Sequence, residues 1–289
     1  FVKYIRPDLF ILIETDFWPN TLLVLHSNDV PTILVNGRVS EKSMQGYRRM
    51  RFFFTPMFQS FSYLCMQTKR DRDKMEKMGL PAQKLRTLGN LKFDTAAGHG
   101  NSTLTPPAEL LPKDRILFIC GSTHPGEEHI LIASYSQVRK IHPELFLIIA
   151  PRDTNRSTEI QSLAVEHGLT VALRSENRAI RTDIFILDTI GELVHFYALS
   201  DIAFVGGSFV QKNGHNPIEP AIMGLPVIFG PNMQDFSEIA DALMSSGGAT
   251  MISGQQELSE ILSTLLSSPE LRTGQGKAAE QCVKSQRGV

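Results

Sequence analysis

The sequence has few cysteines and no long apolar run. It contains three cysteines, an odd number, at Cys65, Cys120 and Cys282, and their spacing is too wide for a metal site. A reducing, cytoplasmic compartment is therefore the natural expectation. No apolar stretch approaches the ~20 residues that span a bilayer. Charges and a proline interrupt the first residues, which is not the pattern expected of a signal peptide. Because the chain starts without Met and close to a strand-like run, we expect it to lack its true N-terminus.

The net charge is also small. A value of −1 over 289 residues argues against a general nucleic-acid binder. The charge is unevenly distributed, however: residues 1–98 contain 15 Lys and Arg against 9 Asp and Glu, whereas residues 99–289 contain 14 against 21. A basic half followed by an acidic half predicts two domains with different partners.

Short apolar runs alternate with amphipathic stretches along the whole chain. Runs such as LFILIET, PTILVNG, RILFICGST, LFLIIAP and IAFVGG predict buried strands, and the stretches between them predict helices. A segment rich in Gly, Pro, Ser and Thr predicts a linker at 99–113, between domains at 1–98 and 114–289. The pattern predicts an α/β protein with two doubly wound, Rossmann-like domains of parallel strands, and ligands at the carboxyl ends of the strands.

Polar residues follow two strands of the second domain. Ser122 and Thr123 end one strand and precede a helix that opens with two Glu, which fits either an anion site or an ordinary helix cap equally well. Arg152 ends the next strand with Arg156 one turn later, a spacing that could clamp a phosphate. For this pair, solvated loop arginines are the alternative that the pattern alone favours.

The stretch KNGHNPIEPAIMGLPVIFGP combines a helix start with unassigned polar residues. Asn216 suits the N-cap and Pro217 the first helical turn. Glu219 then lies where a carboxylate can accept both hydroxyls of a ribose. Ser208 and His215, together with Asn216, offer donors to a phosphate. A capped helix alone leaves His215 and Glu219 unexplained, so a binding site is the preferred interpretation.

The first domain offers an acid and a basic aromatic segment. Glu14 ends a strand expected to be buried, a position that suits a general base, although an exposed strand-end acid fits as well. The segment YRRMRFFF places Arg48, Arg49 and Arg51 beside three phenylalanines, as at an anionic lipid surface. For the phenylalanines, a core-facing helix is the favoured alternative.

Taken together, the motifs ETDFWPN, NGRVSEKS, MQTKRDRDKMEKMG, GNLKFD, GSTHPGEE, APRD, DTIGEL, GGSF and GHNPIEPAIMGLPVIFGP resemble the lipid A Kdo transferase family. The resemblance runs from about residue 8 to about residue 240, and so many motifs in order are far more specific than a lone glycine pattern. It implies a GT-B fold with two domains facing a central cleft. It also implies transfer of Kdo from CMP-Kdo to a lipid A precursor at the cytoplasmic face of the inner membrane, with no metal and no other cofactor.

The resemblance also implies roles for particular residues. The donor site should include Ser122, Thr123, Arg152, Ser208, Gly214, His215, Asn216 and Glu219, and the acceptor side should include Glu14, Asn36, Arg38 and Lys92. The basic first domain would meet the phosphates of lipid A at the membrane surface.

Three departures from the family pattern matter. Asp153 stands where the family usually has His, which would weaken a donor contact, and Asn213 stands where it usually has Gly. Asn tolerates a left-handed backbone, so we expect Asn213 to keep the turn. Members also carry roughly one hundred more N-terminal residues, with a membrane anchor and a Gly-Glu motif whose Glu is the proposed base. We therefore expect this chain alone to be inactive or weakly active, with Glu14 its best-placed carboxylate.

Two other functions fit the same fold. A sugar-nucleotide epimerase would release free sugar without an acceptor lipid. A non-catalytic donor-binding protein would bind CMP without turnover.

Overall fold

In the computed structural model, the described residues are 2–94, 111–176 and 182–287. The chain divides into two compact units, one formed by Phe1–Asp94 with Gln286–Val289 and the other by Thr95–Ser285. The last residues are thus grouped with the first unit, whereas the sequence assigned them to the second. Most of the linker expected at 99–113 falls outside the described residues.

The first unit is a four-stranded parallel sheet with the strand order β1-β2-β3-β4. Its strands are β1 (Phe10–Ile13), β2 (Thr32–Gly37), β3 (Tyr63–Met66) and β4 (Leu85–Thr87). Its helices are α1 (Val2–Ile5), α2 (Pro19–Ser27), α3 (Glu41–Arg49), α4 (Arg51–Gln59) and α5 (Lys69–Lys77).

One face of this sheet is buried, whereas the other is exposed at β1. Leu12, Leu34 and Leu64 lie side by side across β1, β2 and β3 and form a core with apolar residues of α2, α3, α4 and α5. The alternate residues Ile11 and Ile13 of β1 point to the opposite face and are exposed. The prediction of a buried strand at LFILIET therefore holds for one face of β1 and fails for the other, which the described residues leave exposed.

Asp71 anchors α5 beneath this core. The helix is capped by Thr68, whose hydroxyl accepts a hydrogen bond from the backbone N–H of Asp71 at 3.0 Å. The buried carboxylate of Asp71 accepts in turn from the hydroxyl of Thr68 at 2.7 Å and from the N–H of Val39 at 3.0 Å. The loop after β2 is thereby tied to the start of α5.

The second unit is a seven-stranded parallel sheet with the order β11-β10-β9-β5-β6-β8-β7. Its strands are β5 (Ile116–Thr123), β6 (Leu145–Pro151), β7 (Val171–Leu173), β8 (Ile184–Ile186), β9 (Ile202–Val205), β10 (Val227–Phe229) and β11 (Ala249–Met251). Its helices are α6 (Glu127–Val138), α7 (Ser157–Glu166), α8 (Leu193–Tyr197), α9 (Ile218–Ile222), α10 (Ser237–Ser245), α11 (Gln255–Ser267) and α12 (Pro269–Ser285).

Both faces of this second sheet are buried. Phe118 and Cys120 of β5 join a cluster with α6 and α11, while Leu117 and Ile119 join a second cluster with α8. The prediction of a parallel α/β protein is confirmed for both units. The predicted strand and helix segments from 115 to about 246 match β5 to α10 in order.

Candidate functional site

The candidate site lies where the chain reverses direction across the second sheet. From β5 the chain continues to β6, β7 and β8 on one side, and it then crosses back to β9, β10 and β11 on the other. The loops that follow β5 and β9 therefore diverge and leave a crevice at the carboxyl ends of the strands, as in doubly wound nucleotide-binding folds. Gly206 follows β9 and packs directly against the end of β5. A Cβ at this position would lie 2.3 Å from the carbonyl oxygen of Ser122, so only glycine allows the two backbones to approach this closely.

Glu127, the first residue of α6, holds the two loops together. Its fully buried carboxylate accepts hydrogen bonds from the backbone N–H groups of Gly207 (2.7 Å), Ser208 (3.0 Å) and Phe209 (2.9 Å). It also accepts from the N–H of His124 at 2.9 Å. Burial raises the pKa of Glu127, and the four backbone donors only partly offset that effect. The loop amides that an anion would use are thus occupied by a carboxylate of the protein itself.

Thr123 and Arg156 belong to a second internal network. The hydroxyl of Thr123 is buried and donates to Glu128 at 2.8 Å. Glu128 also pairs with Arg156 at 2.8 Å, and Arg156 reaches Glu159 at 2.9 Å. The position of this side chain therefore does not support the prediction that Thr123 binds the donor nucleotide. The two-arginine clamp is not formed either, because Arg156 is already paired.

Arg152 keeps the position expected of a ligand. It follows β6 directly, its side chain is exposed, and its N–H donates to the carbonyl of Thr123 at 2.9 Å. Asp153, the departure from the family pattern, accepts from the N–H of Asn155 at 3.1 Å and caps the following turn. Ser122, half-buried with φ 57°, lies at the end of β5 across from this turn.

Two histidines meet across the crevice. Nε2 of His124, in the loop after β5, lies 2.7 Å from Nε2 of His215, in the loop after β9. Burial is the main cause that lowers the pKa of both rings, to about 4 for His215. Lys212 adds to the shift at His124, and Arg152 adds to it at both rings. The sequence indicated His215 but not His124, although His124 stands beside the predicted Ser122 and Thr123.

Ser208 has a structural role instead of the predicted ligand role. Its fully buried hydroxyl donates to the carbonyl of Val205 at 2.6 Å and accepts from the N–H of Gly230 at 2.8 Å. A Cβ at Gly230 would lie 2.4 Å from the carbonyl oxygen of Ser208, so the loops after β9 and β10 are packed backbone to backbone. A phosphate has no access to this hydroxyl.

The segment before α9 adopts the turn that the sequence predicts. Asn213 has φ 63°, so the expected left-handed conformation is confirmed. Gly214 follows at φ 75°, and its N–H donates to Gly207 at 3.0 Å. A side chain at Gly214 would collide with Met233, which explains the glycine and gives it a packing role.

Asn216 and Glu219 act together at the start of α9. The side-chain oxygen of Asn216 accepts from the N–H of Ile218 at 3.1 Å, and its amide donates to Glu219 at 3.2 Å. The helix begins at Ile218, one residue later than expected. The hydroxyl of Tyr197 is fully buried, and this burial is the main cause that raises its pKa. The half-buried Glu219 raises the pKa of Tyr197 further. Tyr197 in turn occupies the space that a Cβ at Gly121 would need.

The residues assigned to the acceptor side lie in the first unit and differ in accessibility. Glu14 is exposed, with φ 65°, and its N–H donates to Val35 at 2.9 Å, so the buried environment expected for a base is not found. Asn36 is buried, and its side-chain oxygen accepts from the N–H of Leu91 at 3.1 Å. Asn36 therefore positions the turn at Leu91, which the half-buried Lys92 follows directly. Arg38, also half-buried, follows β2 directly.

Within the described ranges, no group of three or more His, Cys, Asp or Glu side chains is placed to hold a metal ion. No helix among the same residues has the length and apolarity that crossing a membrane requires.

The comparisons with known proteins agree with one another. Residues 1–95 match the family model described as 3-Deoxy-D-manno-octulosonic-acid transferase (kdotransferase). The 3-deoxy-D-manno-octulosonic acid transferase of Haemophilus influenzae is 31% identical over 296 residues, covering 100% of this chain and 69% of that protein. The Rickettsia bellii protein of the same name is 30% identical, covering 99% and 69%. The chain belongs to the Kdo transferase family.

Solved structures place this Kdo transferase among known folds. The crystal structure of the C-terminal CMP-Kdo binding domain of WaaA from Acinetobacter baumannii matches with a TM-score of 0.58 and 26% identity, covering 68% of this chain and 98% of that one. The UDP-GlcNAc 2-epimerase from Neisseria meningitidis matches with a TM-score of 0.68 but only 13% identity, covering 98% and 76%. The epimerase thus shares the fold alone, and the family predicted from the sequence is confirmed.

Proposed function

We propose that this Kdo transferase moves Kdo from CMP-Kdo to a lipid A precursor with inversion at the anomeric carbon, and that the crevice of the second unit holds CMP. The observation that carries the donor assignment is the meeting of Arg152, after β6, with the histidine pair that joins the loops after β5 and β9. Glu219 lies in the first turn of α9, which follows His215 in the chain. Ligands of doubly wound sheets bind at this edge. The match to a solved CMP-Kdo binding domain supports the same assignment.

Side chains, not loop amides, hold the phosphate in this proposal. The amides of 207–209 are bound to Glu127, and the hydroxyls of Thr123 and Ser208 are bound internally. Arg152 and Lys212 are exposed cations near the histidine pair. A guanidinium can bind a phosphate through two parallel hydrogen bonds, so Arg152 is the principal phosphate ligand.

The chemistry follows from the leaving group. As CMP departs, negative charge grows on its phosphate, and cations already held at the crevice stabilise that charge without reorganising. The acceptor hydroxyl attacks from the opposite face and loses its proton to a carboxylate. Among the residues described, Glu14 is our candidate for that base on the acceptor side; it is exposed, so this role rests on its position after β1 and not on burial. Arg38 and Lys92 would meet the phosphates of the acceptor.

Glu219 is the proposed ribose ligand, and two nucleotides test it. Calorimetry should show that wild type binds CMP more tightly than 2′-deoxy-CMP, since the carboxylate loses one hydroxyl partner. Glu219→Ala should weaken CMP binding about tenfold or more, in line with ~1.5–3 kcal/mol for a hydrogen bond to a charged group. The variant should no longer distinguish the two nucleotides.

The control for this test is Glu166→Ala, which removes an exposed acid at the end of α7 and should leave both affinities unchanged. If Glu219→Ala still prefers the ribonucleotide as strongly as wild type, the ribose assignment is wrong.

Transfer itself is measured with CMP-Kdo and a lipid A precursor, following Kdo on the lipid by mass spectrometry. Lipid-linked Kdo supports the proposal. Free sugar released without any acceptor would favour the epimerase alternative. Because we expect this chain alone to be inactive or weakly active, CMP binding without either product fits that expectation as well as it fits a donor-binding protein, and robust transfer would overturn the expectation.

The acceptor is a lipid, and one surface of the first unit suits an anionic membrane. Six consecutive residues at the junction of α3 and α4, Arg48 to Phe53, are all exposed. Phe52 is 81% exposed, whereas Phe54 joins the core, so the core interpretation of the phenylalanines holds only for Phe54. Three arginines beside exposed Met and Phe side chains combine charge attraction with apolar insertion.

Vesicle sedimentation tests this surface. The protein should bind phosphatidylglycerol vesicles and not phosphatidylcholine vesicles, and Phe52→Ser should reduce binding several-fold, since each inserted apolar side chain contributes ~1–3 kcal/mol. Ile190→Ser is the matched control, because Ile190 is 89% exposed but lies in the second unit. Equal losses from both variants would contradict the assignment.

A further inference from the structure

His124 and His215 face each other edge to edge. The two Nε2 atoms are 2.7 Å apart, and the ring planes differ by only 3°. A contact of this length requires that one ring donates its Nε2–H and the other accepts through a lone pair. While the contact persists, only one of the facing nitrogens can carry a hydrogen. The pair is therefore either neutral or singly charged.

The pair spans the point where the sheet reverses. His124 follows β5 and His215 lies in the loop after β9, so the contact joins the two walls of the crevice. The backbone holds His215 in place. The N–H of His215 donates to the carbonyl of Gly206 at 3.1 Å, and its ring packs so closely on Gly207 that a Cβ there would lie 3.1 Å away. The two rings are therefore held against each other by the surrounding backbone.

Charged groups from every neighbouring element face this pair. They are Lys212 from the loop after β9, Arg152 and Arg156 from the segment after β6, Glu128 from α6 and Asp235 from the turn before α10. Glu128 is paired with Arg156, so the balance is positive. Burial is the largest cause that lowers the pKa of both histidines, followed by Lys212 at His124 and by the neighbouring His124 and Arg152 at His215. Without a ligand, the pair is therefore neutral at about pH 7.

An anion in the crevice changes this balance. A phosphate beside Arg152 and Lys212 neutralises the cations that disfavour the charged imidazole, and it adds an attraction of its own. The ring that donates through Nε2 has a lone pair on Nδ1, which can accept a proton from solvent while the Nε2–H···Nε2 bond stays in place. No other bond has to break.

We infer that the His124–His215 pair takes up one proton when the donor phosphate enters the crevice, so that donor binding is coupled to proton uptake. The inference rests on the proposed donor site and adds a mode of charge regulation to it. The crevice gains a positive charge only while an anion is present, and it returns the proton when CMP leaves.

The probe for this inference is the methyl ester of CMP, because its phosphodiester keeps a single charge at all pH values used. Calorimetry with the full chain in buffers of different ionisation enthalpy should show uptake of up to one proton at about pH 7. Affinity should fall by as much as tenfold for each unit of pH between the pKa of the free pair and the pKa of the bound pair, and it should level off above the latter. Uptake should disappear in the double variant His124→Gln/His215→Gln, which retains hydrogen-bonding amides that do not titrate.

His167→Gln is the control, since this exposed histidine lies beyond α7 and should leave proton uptake unchanged. Nuclear magnetic resonance of the labelled wild-type rings gives a second measurement that needs no variant. The Cε1–H signals of His124 and His215 should move together toward the charged form when the ester is added at about pH 7.

The outcomes separate the two proposals. The coupling is wrong, and the donor site is unaffected, if the ester binds without proton uptake. The same holds if proton uptake is unchanged in the double variant or if the ring signals stay neutral when the ester binds. Failure of both CMP and its ester to bind wild type at any pH overturns the donor site, and the coupling with it.

Discussion

The two units use the same strand–helix repeat, but their sheets are covered differently. In the second unit, successive residues of β5 enter two separate cores, one on each face of the sheet. In the first unit, Leu12, Leu34 and Leu64 enter a single core, and the alternate positions Ile11 and Ile13 face outward. Sequences with similar strand composition thus produce one fully buried sheet and one half-exposed sheet.

Strand order accounts for this difference. In the first unit the order β1-β2-β3-β4 follows the chain, and right-handed crossovers that all move in one direction place their helices on one face. In the second unit the chain reverses direction: β6, β7 and β8 lie on one side of β5, and β9, β10 and β11 lie on the other, so helices cover both faces. The same reversal separates the loops after β5 and β9 and opens the crevice. One topological feature therefore provides both the second core and the candidate donor site.

The largest expected effect comes from truncating equivalent isoleucines in the two sheets. Ile119 is 0% exposed, and Ile119→Ala should lower the free energy of unfolding of the second unit by about 2–5 kcal/mol. Ile13 is 61% exposed, and Ile13→Ala should cost less than about 1 kcal/mol. Urea unfolding followed by circular dichroism measures both.

Equal costs would break the comparison. A loss of several kcal/mol at Ile13 would mean that the outer face of the first sheet is packed against something in solution, contrary to its exposure here.

The second effect concerns the carboxylate that joins the crevice loops. Glu127→Gln places an amide N–H₂ against backbone N–H donors and should cost about 2 kcal/mol, the penalty of leaving buried donors unpaired. Amide exchange at Gly207, Ser208 and Phe209 should accelerate, because each loses or weakens its acceptor.

Glu257→Gln is the matched control for this substitution. Glu257 accepts from the N–H of Ser253 at 2.8 Å in the exposed first turn of α11, where water can replace the bond. Its loss should stay below about 0.5 kcal/mol. Similar losses of unfolding free energy at both positions would show that the hydrogen bonds of Glu127 do not stabilise the protein more for being buried.

The fold was largely predictable from the sequence, and the site only in part. Apolar runs and helix signals are local, so they identified the strands, the family motifs and the left-handed Asn213. The contacts of Glu127 with 207–209 join residues 80 to 82 positions apart, and no local pattern reports them. The internal bonds of the Ser208 and Thr123 hydroxyls are hidden from the sequence for the same reason, since a hydroxyl at a strand end can face a ligand or another loop.

His124 was missed although a usable signal existed. A histidine directly after a predicted strand-end Ser-Thr pair lies at the edge where ligands bind, and His215 was chosen on that reasoning. The exposed outer face of β1 had no such signal, because an apolar run does not reveal whether the next crossover returns to the same face.

The smallest effect contrasts an ion pair in each unit. Asp183 lies 2.7 Å from Arg139 and accepts two hydrogen bonds from Thr170, at 2.8 and 2.9 Å. Burial alone would raise the pKa of Asp183, but the bonds to Arg139 and Thr170 outweigh it and lower the pKa. Glu41 of α3 also has a lowered pKa, chiefly through Lys74, but it is fully exposed.

Because the folded pKa of Asp183 lies below its unfolded value, its stabilisation is present above about pH 4 and is lost as pH falls through the folded pKa. Asp183→Asn should cost about 1 kcal/mol at neutral pH, and its difference from wild type should shrink on acidification. Glu41→Gln should produce no resolvable change at physiological salt, since exposed pairs are screened. Urea unfolding at neutral and acid pH measures both variants. A difference for Asp183→Asn that stays constant into strong acid would show that the carboxylate stabilises the unit by packing and not by its charge.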